Sequence, residues 1–219
     1  MNLLNKITGI LIKPEETIKE ISDRPYIEEA FLIVGIIAIL SAISAYLMPI
    51  IYDFSDLPPE AMEIVKFSTT VLPIVSALIG IIIMWIIAAG IIHFISVALG
   101  GEGKFTQMLV VYGYSRTPLI INAVFGIILF SFIEPITITI TMTAAGAGNP
   151  MGEMLSNPYY VAIMIIGYIM QLWAIGLMFL GVKYVHNLST NKALIAMALP
   201  ILFFVLGIVT TLFSNVLFG

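Results

Sequence analysis

The sequence predicts an all-α, polytopic transmembrane bundle of five spans, with its N-terminus inside the cell and its C-terminus outside. Three observations carry that prediction. First, 60% of the 219 residues are apolar and only 10% are charged, whereas a soluble domain carries about 25% charged residues. A water-soluble fold of this length cannot hide so much apolar surface, so the excess must face lipid. Second, five apolar runs are long enough to cross a hydrocarbon core about 30 Å thick: Ala30–Ile51, Phe67–Leu99, Met108–Phe132, Tyr159–Val182 and Ala193–Phe218. Third, basic residues alternate between the connections. Eight of the nine, namely Lys6, Lys13, Lys19, Arg24, Lys104, Arg116, Lys183 and Lys192, fall on one side and only Lys66 on the other. The positive-inside rule makes the richer side cytoplasmic, and an even number of spans would spoil the alternation.

Residues 1–29 form the cytoplasmic and interfacial segment, and 30–219 the transmembrane domain. Leu3, Leu4, Ile7, Ile10 and Leu11 recur at helical spacing, with Asn2, Asn5, Lys6 and Lys13 between them. The pattern is that of a short amphipathic helix lying on the inner membrane surface. The apolar run Ile7 to Ile12 is too short for the core of a cleavable signal peptide, so the first span is expected to be retained. A second short helix is expected from Pro14, with Glu15 and Glu16 in the first turn, where they suit the helix dipole.

Within the second run, Pro73 marks a possible break near the start; without one, the helix must tilt or project from the bilayer. In the third run, Pro118 suits a first helical turn. Phe105 to Thr117 then reads as a short interfacial helix, with the span proper starting at Pro118. Of the outer connections, Asp53 to Lys66 should begin irregular and then become helical. Ile136 to Thr141 alternates isoleucine and threonine, as a strand does, yet the sequence offers no evident partner. The small, glycine-containing stretch 144–150 reads as mobile. Tyr26, Tyr112, Tyr114 and Tyr184 fall near the cytoplasmic edge, and Tyr46, Tyr52, Tyr159 and Tyr160 near the outer one, the depth tyrosine prefers. Trp85 and Trp173 fall mid-span, where each indole N–H needs an acceptor.

Chemistry is sparse. The chain has no cysteine, which excludes disulfides, thiolate metal sites and a cysteine nucleophile. It has no His-Glu-x-x-His motif and no phosphate-binding loop ending in Lys-Ser/Thr, and no cofactor is expected. Scattered basic residues make no nucleic-acid footprint. No charged side chain falls unambiguously in the membrane core, which argues against a pump or proton-coupled transporter. His93, about 10 Å inside the cytoplasmic end, is either a proton or ligand site or, preferably, a neutral histidine bonded to a neighbouring helix. Pairing Ser115 with His93 as a catalytic dyad is disfavoured, because the segment Gly113-Tyr114-Ser115-Arg116 lacks a glycine after the serine. Ser41, Ser44, Ser76, Asn122, Gln171, Thr210, Thr211 and Asn215 serve packing between helices or line a pore, and packing is preferred.

The segment His93 to Ile120 reads HFISVALGGEGKFTQMLVVYGYSRTPLI. With its Gly-Gly turn, its GKF step, its GYS and the proline that follows, it resembles the Yip domain family. The N-terminal KPEETIKEISDRP is similar to that family's entry segment. By matching position, Gly100, Gly101, Gly113, Tyr114, Ser115 and Pro118 carry the motif, in structural roles. The resemblance implies a five-span scaffold without known catalysis. Eukaryotic members bind Rab-type GTPases and act in vesicle traffic, and usually carry a long polar cytoplasmic N-terminal region. The short segment here looks more like the compact prokaryotic members.

Isoleucine content and the lack of cysteine point the same way, to the cytoplasmic membrane of a prokaryote. Expected partners are the lipid bilayer and either a second copy of the chain or other membrane proteins. A non-enzymatic scaffold is therefore the leading reading. The alternative is a channel or transporter for a small solute or ion, lined by His93, Asn122 and Gln171, with Arg116 as a further polar candidate.

Overall fold

The computed structural model describes residues 2–140 and 150–217. The stretch 144–149 and the side chain of Asn215 lie outside the described residues. Among the described residues, four helical segments are long and apolar enough to cross a membrane: Ile27–Tyr46, Pro59–Ala98, Phe105–Phe130 and Pro158–His186. A bent pair, Thr190–Ala196 and Ala198–Phe213, meets at 55° and makes a fifth if counted as one span.

The chain opens with α1 (Leu3–Ile12), whose first turn is capped by Asn2 accepting from the Asn5 N–H at 2.9 Å. Helix α2 (Pro14–Asp23) follows, with Pro14 in its first turn and Ile18 and Ile21 fully buried. The apolar spacing in α1 is as predicted, but Lys6 is not on an outer polar face. It is turned inward and buried, while Leu4 and Ile12 are exposed.

Helix α3 (Ile27–Tyr46) is the first span. It stops short of Ile51 because Pro49 follows, and the remainder of that apolar run becomes strand β1 (Ile50–Asp53). The partner missing from the sequence reading is supplied here: β2 (Ile136–Thr139) pairs with β1 in parallel, Ile50 opposite Ile136. The ladder continues at both ends, with Ile136 N–H donating to the Pro49 carbonyl at 2.9 Å and Ile140 N–H to that of Asp53 at 2.8 Å.

The connection after β1 is irregular up to Pro58 and then helical, as predicted. Helix α4 (Pro59–Lys66), a widened π turn (Phe67–Val71), α5 (Leu72–Val75), a second π turn (Ser76–Gly80) and α6 (Ile81–Ala98) form one 40-residue helix. Pro73 does not break it. A proline removes one backbone donor and crowds the carbonyl four residues earlier; the wide turns on either side of α5 take up that misfit within the helix.

The third span is α7 (Phe105–Ser115) and α8 (Pro118–Phe130). At their junction the bonds tighten to i→i−3: Arg116 N–H to Gly113 O, and Thr117 N–H to Tyr114 O at 3.1 Å. The Thr117 hydroxyl also donates to Tyr114 O, at 2.7 Å. That carbonyl is the one Pro118 leaves without its ordinary helical donor. Within the segment expected at the interface, every residue from Met108 to Ser115 is buried by the protein itself.

Helix α9 (Pro150–Ser156) leads into α10 (Pro158–His186), whose first turn is capped by the Asn157 side chain. Helix α10 ends at Asn187, which takes the left-handed conformation at φ 51°. Helices α11 (Thr190–Ala196) and α12 (Ala198–Leu217) complete the bundle. The buried residues gather at one end, where α1, α2, α7, α11 and the adjoining ends of α3, α6 and α10 meet.

Candidate functional site

Two features stand out, a packed junction and a cavity. The junction is held by small residues where elements come closest. Gly113 faces α3 so tightly that a Cβ there would lie 2.9 Å from that of Ala30. Gly181 on α10 leaves room for Val111, Gly103 for the Val185 backbone, and Gly101 for the His186 ring. Gly100, at φ 89°, makes the turn after α6 in a conformation other residues rarely adopt. Without a hydrophobic drive between helices in lipid, such small-residue contacts are what permit close approach.

Polar bonds complete the junction. Lys6 Nζ pairs with Glu29 Oε2 at 2.6 Å, and the Tyr114 hydroxyl donates to the same oxygen. The Tyr184 hydroxyl donates to Glu15, and Gln107 Nε2 to the Ser22 carbonyl at 3.0 Å. Together these tie α1 and α2 to α3, α7 and α10. Trp85 finds the acceptor it requires, donating to the Leu109 carbonyl at 2.9 Å. Ser115 is fully buried and donates to its own helix, to the Tyr112 carbonyl at 2.7 Å; it is not bonded to His93. His93 Nδ1 lies 3.4 Å from His186 Nε2, beside the same glycine turn.

Below the junction lies a cavity of about 840 Å³, walled by α6, α8, α10 and α12, with a second of about 400 Å³ on the α3 side. Arg116, Tyr112 and Asn122 line both. Arg116 Nη1 donates to Gln171 Oε1 at 3.1 Å, and Nη2 to the Tyr112 hydroxyl, with the guanidinium 4.7 Å from that ring's centre. Asn122 Oδ1 is buried without a hydrogen-bond partner. Among the described residues no carboxylate pairs with Arg116; the ion pairs are Lys6–Glu29 and Lys13–Glu16.

This bears on the expectation that no charged side chain falls unambiguously in the membrane core. Gln171 stands 12 residues from Tyr159 and 13 from Tyr184 on α10, about 18–20 Å from each. Its partner Arg116 is thus near mid-depth between those two tyrosines. The structure brings Arg116, Gln171 and Asn122 together, as an interior site requires. His93 is not with them: it is absent from both cavity linings. Three contributors escaped the sequence reading: Glu29, Tyr112 as a guanidinium partner, and His186. The last had one signal, since the chain has only two histidines and both fall where spans meet the same side. Among the described residues no group of His, Asp or Glu could hold a metal ion.

A family model described as Yip1 domain matches residues 8–212. The chain therefore belongs to the Yip1 domain family, as its glycine turn and GYS segment suggest. It is 36% identical over 139 residues to an uncharacterized protein of Methanocaldococcus jannaschii, an overlap covering 63% of this chain and 94% of that one. No solved structure matches.

Proposed function

We propose, on the premise of that family membership, that the protein is a non-enzymatic membrane scaffold. In this reading the end carrying α1 and α2 is cytoplasmic and presents a fixed face to a partner, either a second copy of the chain or another membrane protein. That face comprises α1 and α2, the turn from Gly100 to Lys104, and the connection from α10 to α11. One observation carries the reading: the family motif segment Met108–Ser115 is enclosed on all sides. Its residues pack against other helices, with Tyr112 also reaching the cavities, and in this reading it holds the surface helices in place. Positive charge gathered on that side supports the orientation.

The alternative, a channel or transporter for a small solute or ion, is favoured by the mid-depth Arg116 between two cavities. Intramembrane charges commonly mark transport paths.

The two readings separate in a pair of measurements. Photocrosslinking groups at the exposed positions Glu16, Glu102 and Asn191 should each give a discrete adduct in native membranes, weakened by Lys6→Ala. In sealed liposomes the purified protein should pass no ion or small solute. Protein-dependent flux that falls in Gln171→Ala, with no adduct at any of the three positions, would move the function to the bundle interior.

A further inference from the structure

Arg116 poses an electrostatic problem that the chain leaves open. Its guanidinium sits at mid-depth, yet its hydrogen-bond partners, Gln171 and Tyr112, are both neutral. An arginine held among apolar spans is costly unless its charge is matched. An anion in the cavity would compensate the charge and use the two donor-rich neighbours as well.

The walls indicate what carries that anion. Met84, Ile87, Ile91 and Phe203 line the larger cavity and are exposed, so its open side is framed by apolar side chains of two apolar helices, α6 and α12. Its lining is largely apolar, with Tyr112, Arg116, Asn122 and Gln171 forming the most polar part, and with Tyr168 and Thr211 bonded to each other elsewhere on the wall. A free inorganic anion has no favourable route through such a mouth. A molecule with an acidic head and a hydrocarbon chain does.

We propose that the larger cavity binds one anionic lipid taken from the bilayer, its phosphate or carboxylate on Arg116. Its chain lies between α6 and α12, along Ile91 and Phe203. Asn122, whose Oδ1 has no partner, accepts from a headgroup hydroxyl or N–H. The site is separate from the proposed partner-binding face, so its fate and that of the scaffold reading are read by different experiments.

The test is native mass spectrometry of the detergent-solubilised full chain, titrated with phosphatidylglycerol or phosphatidylcholine and, in a further arm, with inorganic phosphate as competitor. Wild type should retain one phosphatidylglycerol at least about tenfold more tightly than phosphatidylcholine, the worth of one charge-assisted contact. Arg116→Gln should lose about tenfold in affinity, and Arg116→Lys should keep most of it. Gly207→Phe fills the apolar part from a position where an added side chain meets open space, far from the guanidinium's bonds. It should weaken phosphatidylglycerol without unfolding the protein. Equal retention of the two lipids would overturn the proposal. So would phosphatidylglycerol binding indifferent to Arg116→Gln. Phosphate competition together with an unaffected Gly207→Phe would mark a plain anion site and overturn it too.

Discussion

The two ends of this bundle are built on different terms. At the end capped by α1 and α2, helices touch through glycine and alanine, and side chains from α7, α10 and α11 are closed off completely. Toward the other end the same spans separate. Ile165 and Ile169 on α10 and Leu202, Phe203 and Leu206 on α12 are exposed, and the gap between the helices is the cavity. Apolar content does not explain the difference, since both ends are rich in isoleucine and leucine. In lipid an apolar side chain gains little by turning inward, so close packing appears only where small residues and polar bonds supply it. Burial here follows glycine and hydrogen bonds rather than hydropathy.

That contrast is open to attack at single residues. Gly103→Ala pushes a methyl into the Val185 backbone and should destabilise by about 1–3 kcal/mol, as overpacking does. Gly207→Ala on α12, at the loosely built end, meets nothing within 4 Å and should be neutral or stabilising by up to about 1 kcal/mol. Thermal unfolding in one detergent compares them, and equal effects would end the distinction between the ends. Next in size is Lys6→Ala, which leaves Glu29 with the Tyr114 hydroxyl alone. A loss of about 1–3 kcal/mol is expected for a part-buried acceptor losing a charged partner. Hydrogen exchange should show α1 opening while α10 stays protected. Trp85→Phe removes the bond to the Leu109 carbonyl and should cost about 0.5–1.5 kcal/mol in the same melt. The smallest effect belongs to the loosely built end. Ile136→Pro deletes the donor to Pro49; it should speed exchange at neighbouring β2 amides and leave the unfolding midpoint within about 1 °C.

Much of the scaffold was legible because hydropathy and charge are read along the chain. The apolar runs, the paired surface helices and the irregular-then-helical connection before Lys66 all follow from local pattern. What failed depends on partners far apart in sequence. Lys6 looked like an outer charge because Glu29, its partner, is 23 residues away. Helix α7 was set apart from the span because Pro118 suits a helix start; its burial was not legible, since Gln107, Tyr112 and Tyr114 each find their polar partner far along the chain or in the next turn. Strand β1 was hidden in the tail of an apolar run, and only its pairing with residues 86 positions later identifies it. Pro73 left two outcomes open, a break or one long helix, and the pair of π turns that allows the second leaves no mark in the hydropathy. For the candidate site, Arg116, Asn122 and Gln171 could each be picked out as polar residues near or in spans. Their convergence could not, since it depends on the tightened turn at Thr117 and on how α8 lies against α10. The same holds for His93, which was visible alone but whose neighbour is 93 residues downstream.

The 55° bend between α11 and α12 bears on the order in which the molecule is made. Helix α11 stays with the packed end, while α12 turns away and lays Pro200, Phe203 and Gly207 across the cavity. A chain synthesised from its N-terminus has Arg116, Asn122 and Gln171 in place before that wall exists. During biogenesis the guanidinium is therefore open along one flank to whatever surrounds the growing protein. The wall that α12 adds therefore comes after the rest of the site, and it narrows the guanidinium's surroundings to the cavity described above.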